Sequence, residues 1–267
     1  MATTVPEGAH EARTLRKDAW WVQPLLTVFV LCGFIVYATY RTFENANFLS
    51  ELSLKPLWDS GGVGHLLSPF YSPLIAVDWV FFGYHFSPAL LILPFPLSFR
   101  LTCYYYRKAY YRSFTLSPPA CAVEGLAGKK YTGEKFWPMA FQNLHRFTFY
   151  AAFTFIFILG WDVIKSMHYS NGWGISVGTF VLLLNVIFLG CYTFGCHSWR
   201  HLIGGKVNCY SCSATARTQY GLWKKATFLN ERHALFAWVS LFGVMLTDVY
   251  VRAVCTGLIV DKVLVRF

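Results

Sequence analysis

The sequence predicts an all-α integral membrane bundle of five transmembrane helices, a single membrane-anchor domain over residues 1–267 with its N-terminus cytoplasmic. Three observations predict it. The chain is 55% hydrophobic and only 13% charged, where a soluble domain carries roughly a quarter charged residues. Five apolar stretches approach the length of about 20 residues that a hydrocarbon core of about 30 Å requires. The basic residues gather on one side of those stretches if the helices alternate in direction.

In chain order, residues 1–21 form a tail carrying Arg13, Arg16 and Lys17. The first span covers 22–40. It begins well inside the chain, lacks a small-residue cleavage pattern and is followed by Arg41, so it does not read as a signal peptide. The second, 74–97, contains Pro88, Pro94 and Pro96, which predict a kink toward its C-terminal end. The third covers 147–163, the fourth 175–194 and the fifth 235–254. Two long basic loops, 100–143 and 196–233, separate spans two from three and four from five. With their flanks and the tail they hold 17 of the 23 Lys and Arg residues. The positive-inside rule makes that side cytoplasmic and leaves the Glu44–Asp59 region, the Ser170–Trp173 turn and the C-terminus outside. The expected location is the cell's inner (plasma) membrane, crossed several times.

The loop that opens RLTCYYYRKAYYRSFTLSPPACAVEG mixes tyrosines, basic residues and cysteines. Tyr and Arg are favoured in buried interfaces, and about forty residues is long for a plain connector. Both basic loops therefore read as docking surfaces for soluble partners, beyond the positive-inside bias itself. Nucleic acid is not an expected partner, because the patch lies at a bilayer surface and contains no recognised module. Cys103, Cys121, Cys196, Cys209 and Cys212 map to the same side. Thiols there are normally reduced, so metal ligation or simple burial is expected rather than a disulfide framework. Cys32, Cys191 and Cys255 lie within or at the end of spans and read as small apolar fillers.

The stretch CHSWRHLIGGKVNCYSC concentrates soft ligands. His197 and His201 are four residues apart and share a helix face, Gly204 and Gly205 let the chain turn, and Cys209 and Cys212 form a C-x-x-C knuckle. Cys196, His197, His201, Cys209 and Cys212 are the candidate metal ligands. Two imidazoles with two thiolates suit tetrahedral zinc or a Rieske-type [2Fe–2S] cluster, with Cys103 and Cys121 as reserves. A haem b between His145 and His197 and a site with no metal are the alternatives. No histidine occupies the opposite half of any span, so a second haem lacks ligands.

Five spans, with RLTCYYYRKAYYRSFTLSPPACAV, FQNLHR and CYTFGCHSWRHLIGGKVNCYSC, resemble the membrane anchor of succinate dehydrogenase, specifically the actinobacterial type. The resemblance runs from span one to span five. It implies an anchor without haem and with a Rieske-like [2Fe–2S] cluster, flavoprotein and iron–sulfur subunits docked on the cytoplasmic face, and transfer of electrons to menaquinone or another quinone. This subunit would not touch succinate. A higher oligomer of the complex is left open. On this reading the quinone candidates are His145 and Arg146, with Trp199 and Tyr104 through Tyr106 as walls. The plain alternative is an aromatic belt with Arg146 snorkelling to head groups.

Asp78, Asp162 and Asp248 fall inside spans, where a carboxylate is costly and asks for a functional reason. They are candidates for a proton route or an outer quinone site, against pairing with Lys165 and Arg252. Two other classes stand beside the anchor: a transporter, against which no inverted repeat or pair of broken helices is found, and a zinc scaffold without electron transfer.

Overall fold

The structure, a computed structural model, describes residues 19, 21–50, 66–75, 79–114, 143–169, 172–205 and 207–267. Asp78, Cys121 and residues 115–142 of the first basic loop lie outside the described residues.

Four helices are long and apolar enough to cross a membrane: α1 (Val22–Glu44), α5 (His145–Ser166), α6 (Val177–Phe194) and α9 (His233–Cys255). Each start and stop has a local cause. Asn45 ends α1 in the left-handed region at φ 46°, which asparagine tolerates better than most residues. Ser176 caps α6 by accepting from the Thr179 amide, and Thr179 returns the bond to the Ser176 amide, so two orphan donors are satisfied reciprocally. α6 packs along both α5 and α9 and is the centre of the bundle.

The second apolar stretch does not form one spanning helix. It opens as a hairpin of β1 (Val80–Phe81) and β2 (Tyr84–His85), joined at Phe82 and Gly83. It continues as two short helices, α2 (Ala89–Ile92) and α3 (Pro94–Thr102). The prolines explain the break: Pro88 sits at the N-cap of α2 and Pro94 opens α3, positions where a missing amide costs least. Together α2 and α3 make a short apolar helical segment, Ala89–Thr102, about 21 Å long at a rise of ~1.5 Å per residue, and α3 packs against α5. Cys103 then turns extended, at ψ 129°, and α4 (Tyr104–Phe114) leaves in a new direction along α1.

On the basic side α7 (His197–Gly204) and α8 (Ala214–Glu231) pack on each other. Gly195 makes their approach to α6 possible: a Cβ there would stand 2.7 Å from the Cys191 carbonyl oxygen and 3.0 Å from that of Leu229. Asn230 donates to the Gly195 carbonyl at 2.8 Å and accepts from Arg200 at 3.1 Å. At the opposite end β3 (His168–Tyr169), β4 (Gly172–Ser176) and β5 (Val263–Arg266) form an antiparallel sheet in that order.

Candidate functional site

The chemistry collects where four elements end at one level. Cys103 lies between α3 and α4, His145 begins α5, Cys196 lies in the corner between α6 and α7, and His233 begins α9. Both cysteines are buried, at 2% and 3% exposure. The four side chains meet as two thiol–imidazole pairs: His145 Nε2 is 3.0 Å from Cys196 Sγ, and His233 Nε2 is 3.5 Å from Cys103 Sγ.

Neighbouring groups orient both imidazoles. Thr102 Oγ1 lies 2.7 Å from the Ser98 carbonyl, to which it can donate, and 2.9 Å from His145 Nδ1. With the hydroxyl proton directed to Ser98, His145 carries its proton on Nδ1 and turns a bare Nε2 toward the thiol. Phe99 stacks on the His145 ring at 4.9 Å and 9°, and Tyr192 on His233 at 4.9 Å and 14°. His233 Nδ1 is buried without a hydrogen-bond partner among the described residues. Arg100 spans the gap below: it donates to Tyr106 Oη at 2.6 Å, to the Ala237 carbonyl at 3.3 Å and to Ser240 at 3.0 Å. Its guanidinium lies 4.9 Å from the centre of the Tyr192 ring. Burial pushes the Cys196 thiol up to about 11, so its thiolate forms readily only beside a compensating cation.

An apolar cavity of about 340 Å³ adjoins this cluster. Phe34 and Ala38 of α1, Leu93 between α2 and α3, Phe99, Arg100 and Tyr192 are among its walls. Its size falls in the range of small-molecule sites. Phe99 and Tyr192 thus face the cavity and also stack on the two imidazoles.

The ligand set expected from sequence is split. Cys196 turns inward to His145, whereas His197 and His201 are exposed and contact each other, ring centres 4.8 Å apart. Cys209 and Cys212 are joined in a disulfide with Cα atoms 5.7 Å apart, which corrects the expectation of free thiols. The tight Cys209–Cys212 turn before the N-cap Ser213 brings the two sulfurs together. Among the described residues no three His, Cys, Asp or Glu side chains surround a single metal position. The haem pairing of His145 with His197 fares no better, since His197 points to His201 while His145 faces Cys196.

The quinone candidates divide as well. His145 belongs to the buried cluster. Trp199 packs against Phe149, Phe153 and Phe194 behind it. Arg146 is exposed, and Tyr104 is 66% exposed beneath Arg107; Tyr105 and Tyr106 are the tyrosines that pack inward. Sequence reasoning gave His233 no role. The available signal was depth: Cys103, His145, Cys196 and His233 each sit at the same-side end of an apolar stretch.

Of the intramembrane carboxylates, Asp248 is fully buried and accepts from Tyr37 at 2.6 Å, from Arg252 Nε at 2.8 Å and from Ser68. Arg252 continues to Glu44 at 2.9 Å. Asp162 accepts from Ser72 and lies 3.9 Å from Lys165. Asp162 and Asp248 thus lie beside Lys165 and Arg252, the partners expected for them, but both carboxylates are buried.

The family model for the actinobacterial succinate dehydrogenase subunit SdhC matches residues 22–257. A chain of the Mycobacterium smegmatis Sdh1 complex in the apo form is similar in structure, with a TM-score of 0.80 and 39% sequence identity. The match covers 99% of this chain and 96% of that one. Among curated proteins none matches.

Proposed function

Because the chain belongs to the actinobacterial SdhC family of succinate dehydrogenase membrane subunits, we propose that it is the point at which that complex hands electrons to a lipid-soluble quinone. As a membrane subunit it associates with the other succinate dehydrogenase subunits and does not itself carry the succinate chemistry. We place the N-terminus and the basic loops on the cytoplasmic side by the positive-inside rule, with α2–α3 as a short fifth crossing.

One observation carries the reading: the two aromatic rings that wall the cavity are the rings stacked on His145 and His233. The donor chemistry fits an iron–sulfur cluster. A single ion needs three or four donors in one shell, whereas an Fe2S2 unit is bound at two ends by two donors each, and Rieske centres combine two His with two Cys. The two His and two Cys at this level match that composition, with both imidazoles on one iron and both thiolates on the other. Cys103, Cys196, His145 and His233 would hold the cluster, which when bound supplies a one-electron relay. Three of the four replace the sequence-based set, and Cys103 moves from reserve to ligand.

The remaining side chains have separable tasks. Thr102 keeps His145 Nε2 free for a ligand bond, the kind of outer contact that orients metal-binding imidazoles. Phe99 and Tyr192 keep water from the imidazoles on the cavity side. Arg100 reaches the cavity with N–H groups beyond the three bonds it makes to protein, and those can donate to a quinone carbonyl. Menaquinone suits an apolar chamber between helices, with its tail toward α1.

Paramagnetic spectra of the purified complex test this reading. His233→Ala and Cys103→Ser are expected to abolish a Rieske-type signal and quinone reduction while succinate oxidation by an artificial acceptor persists. Cys209→Ser is expected to leave both intact. The opposite pattern, with signal lost only in Cys209→Ser, would return the cluster to the 196–212 stretch.

A further inference from the structure

The hairpin before α2 exposes apolar surface that no task described above uses. Trp79 is 54%, Val80 56%, Phe82 102% and Tyr84 80% exposed. From Trp79 to Phe99 the sequence contains no Asp, Glu, Lys or Arg. Phe82 adopts φ 50° and Gly83 φ 83°, a two-residue turn with both angles positive. Glycine suits such a position and phenylalanine does not. A fully exposed aromatic ring at a turn position that disfavours it points to a surface that accepts the ring.

We propose that the Val80–His85 hairpin is an interfacial membrane anchor that inserts Phe82 into the leaflet at the end of the bundle opposite the Cys/His cluster. Its depth follows from what it joins. Ala89, at the hairpin's exit, is buried with Tyr71, and Tyr71 donates to the Arg41 carbonyl near the end of α1. The hairpin therefore leaves the bundle where α1 ends. Its apolar face continues into Leu91 and Phe95, exposed along α2 and α3, which face lipid in a membrane subunit. Trp and Tyr beside Phe are the residues that settle at the head-group boundary. The two-residue strands leave open edges, which are excluded from the hydrocarbon centre and tolerated at the interface. A soluble partner is disfavoured because the hairpin's own residues, Trp79 to His85, carry no Asp, Glu, Lys or Arg for the polar rim such contacts use.

The inference rests on the chain being a membrane subunit, and the test carries its own control. 4-Trifluoromethyl-phenylalanine is encoded at position 82, and separately at Leu246, which is 59% exposed on α9. The intact complex is reconstituted in phosphatidylethanolamine–cardiolipin bilayers. Fluorine relaxation is measured with dissolved oxygen, which concentrates in lipid, and with a water-soluble nickel chelate. The expected result is oxygen-dominated relaxation at both positions, with a small nickel effect at 82 alone. Nickel-dominated relaxation at 82 with oxygen-dominated relaxation at 246 would overturn the anchor and put the hairpin in water. Shielding of 82 from both probes would overturn it in favour of a second copy or a protein partner. Nickel dominance at 246 would defeat the membrane reading itself.

Discussion

Thr102 shows how much of the site depends on one hydroxyl. When it donates to Ser98 it accepts from His145 Nδ1, which leaves Nε2 bare. Thr102→Val keeps the shape and removes the acceptor. The expected outcome is a roughly 10- to 100-fold loss in cluster occupancy or quinone reduction, the usual scale for outer-shell partners of metal-binding His, with Thr102→Ser retaining most of both. Iron content and the paramagnetic signal per complex check it. His145 and Cys196 were both legible in the sequence as candidates, yet in different roles. Local spacing favoured the partners nearest in the chain, His197, His201, Cys209 and Cys212. Helical periodicity relates residues only within one element. Which of several histidines at a common depth turns inward is decided by packing, here by Phe99 and Tyr192 lying flat on two of them.

Among the elements, the α6–α7 corner is the most constrained. Gly195 lets α8 approach so closely that Cβ would meet backbone on both sides, and the next residue is Cys196. Gly195→Ala is expected to cost about 1–3 kcal/mol as an overpacking change and to disturb the site at the same time. Gly221→Ala on α8, where a Cβ meets nothing within 4 Å, is expected to be neutral or to stabilise by up to about 1 kcal/mol. Thermal unfolding of the two variants in the purified complex makes the comparison. The long helices were readable because stretches of 18–23 largely apolar residues leave few alternatives. The second stretch was not: hydropathy counts apolar residues without asking whether their amides can bond. Pro88, Pro94 and Pro96 withhold three amides within nine residues, and the chain answers with a hairpin and two short helices rather than one kinked span.

The whole molecule has a Cys/His end and a tied end. At the tied end Asp248 and Arg252 form a buried pair, joined by Tyr37 and Glu44 of α1 and by Ser68. Arg252 also donates to the Ala46 carbonyl at 2.5 Å, so α1, the segment after it and α9 meet at one guanidinium. This arrangement favours a structural clasp over a proton carrier, because Asp248 already accepts from three donors, Tyr37, Ser68 and Arg252. Removing one partner of a buried pair leaves the other charge uncompensated, at a cost of about 3–5 kcal/mol. Arg252→Met is therefore expected to lower the unfolding temperature of the complex sharply. The double change Arg252→Met with Asp248→Leu is expected to recover much of the loss, since apolar replacement of a whole buried pair is often neutral or better. Quinone reduction by the assembled double variant decides the role. Turnover near that of the parent complex identifies a clasp. Recovered stability with turnover still lost would mean that Asp248 carries protons after all, as its place within a span first suggested.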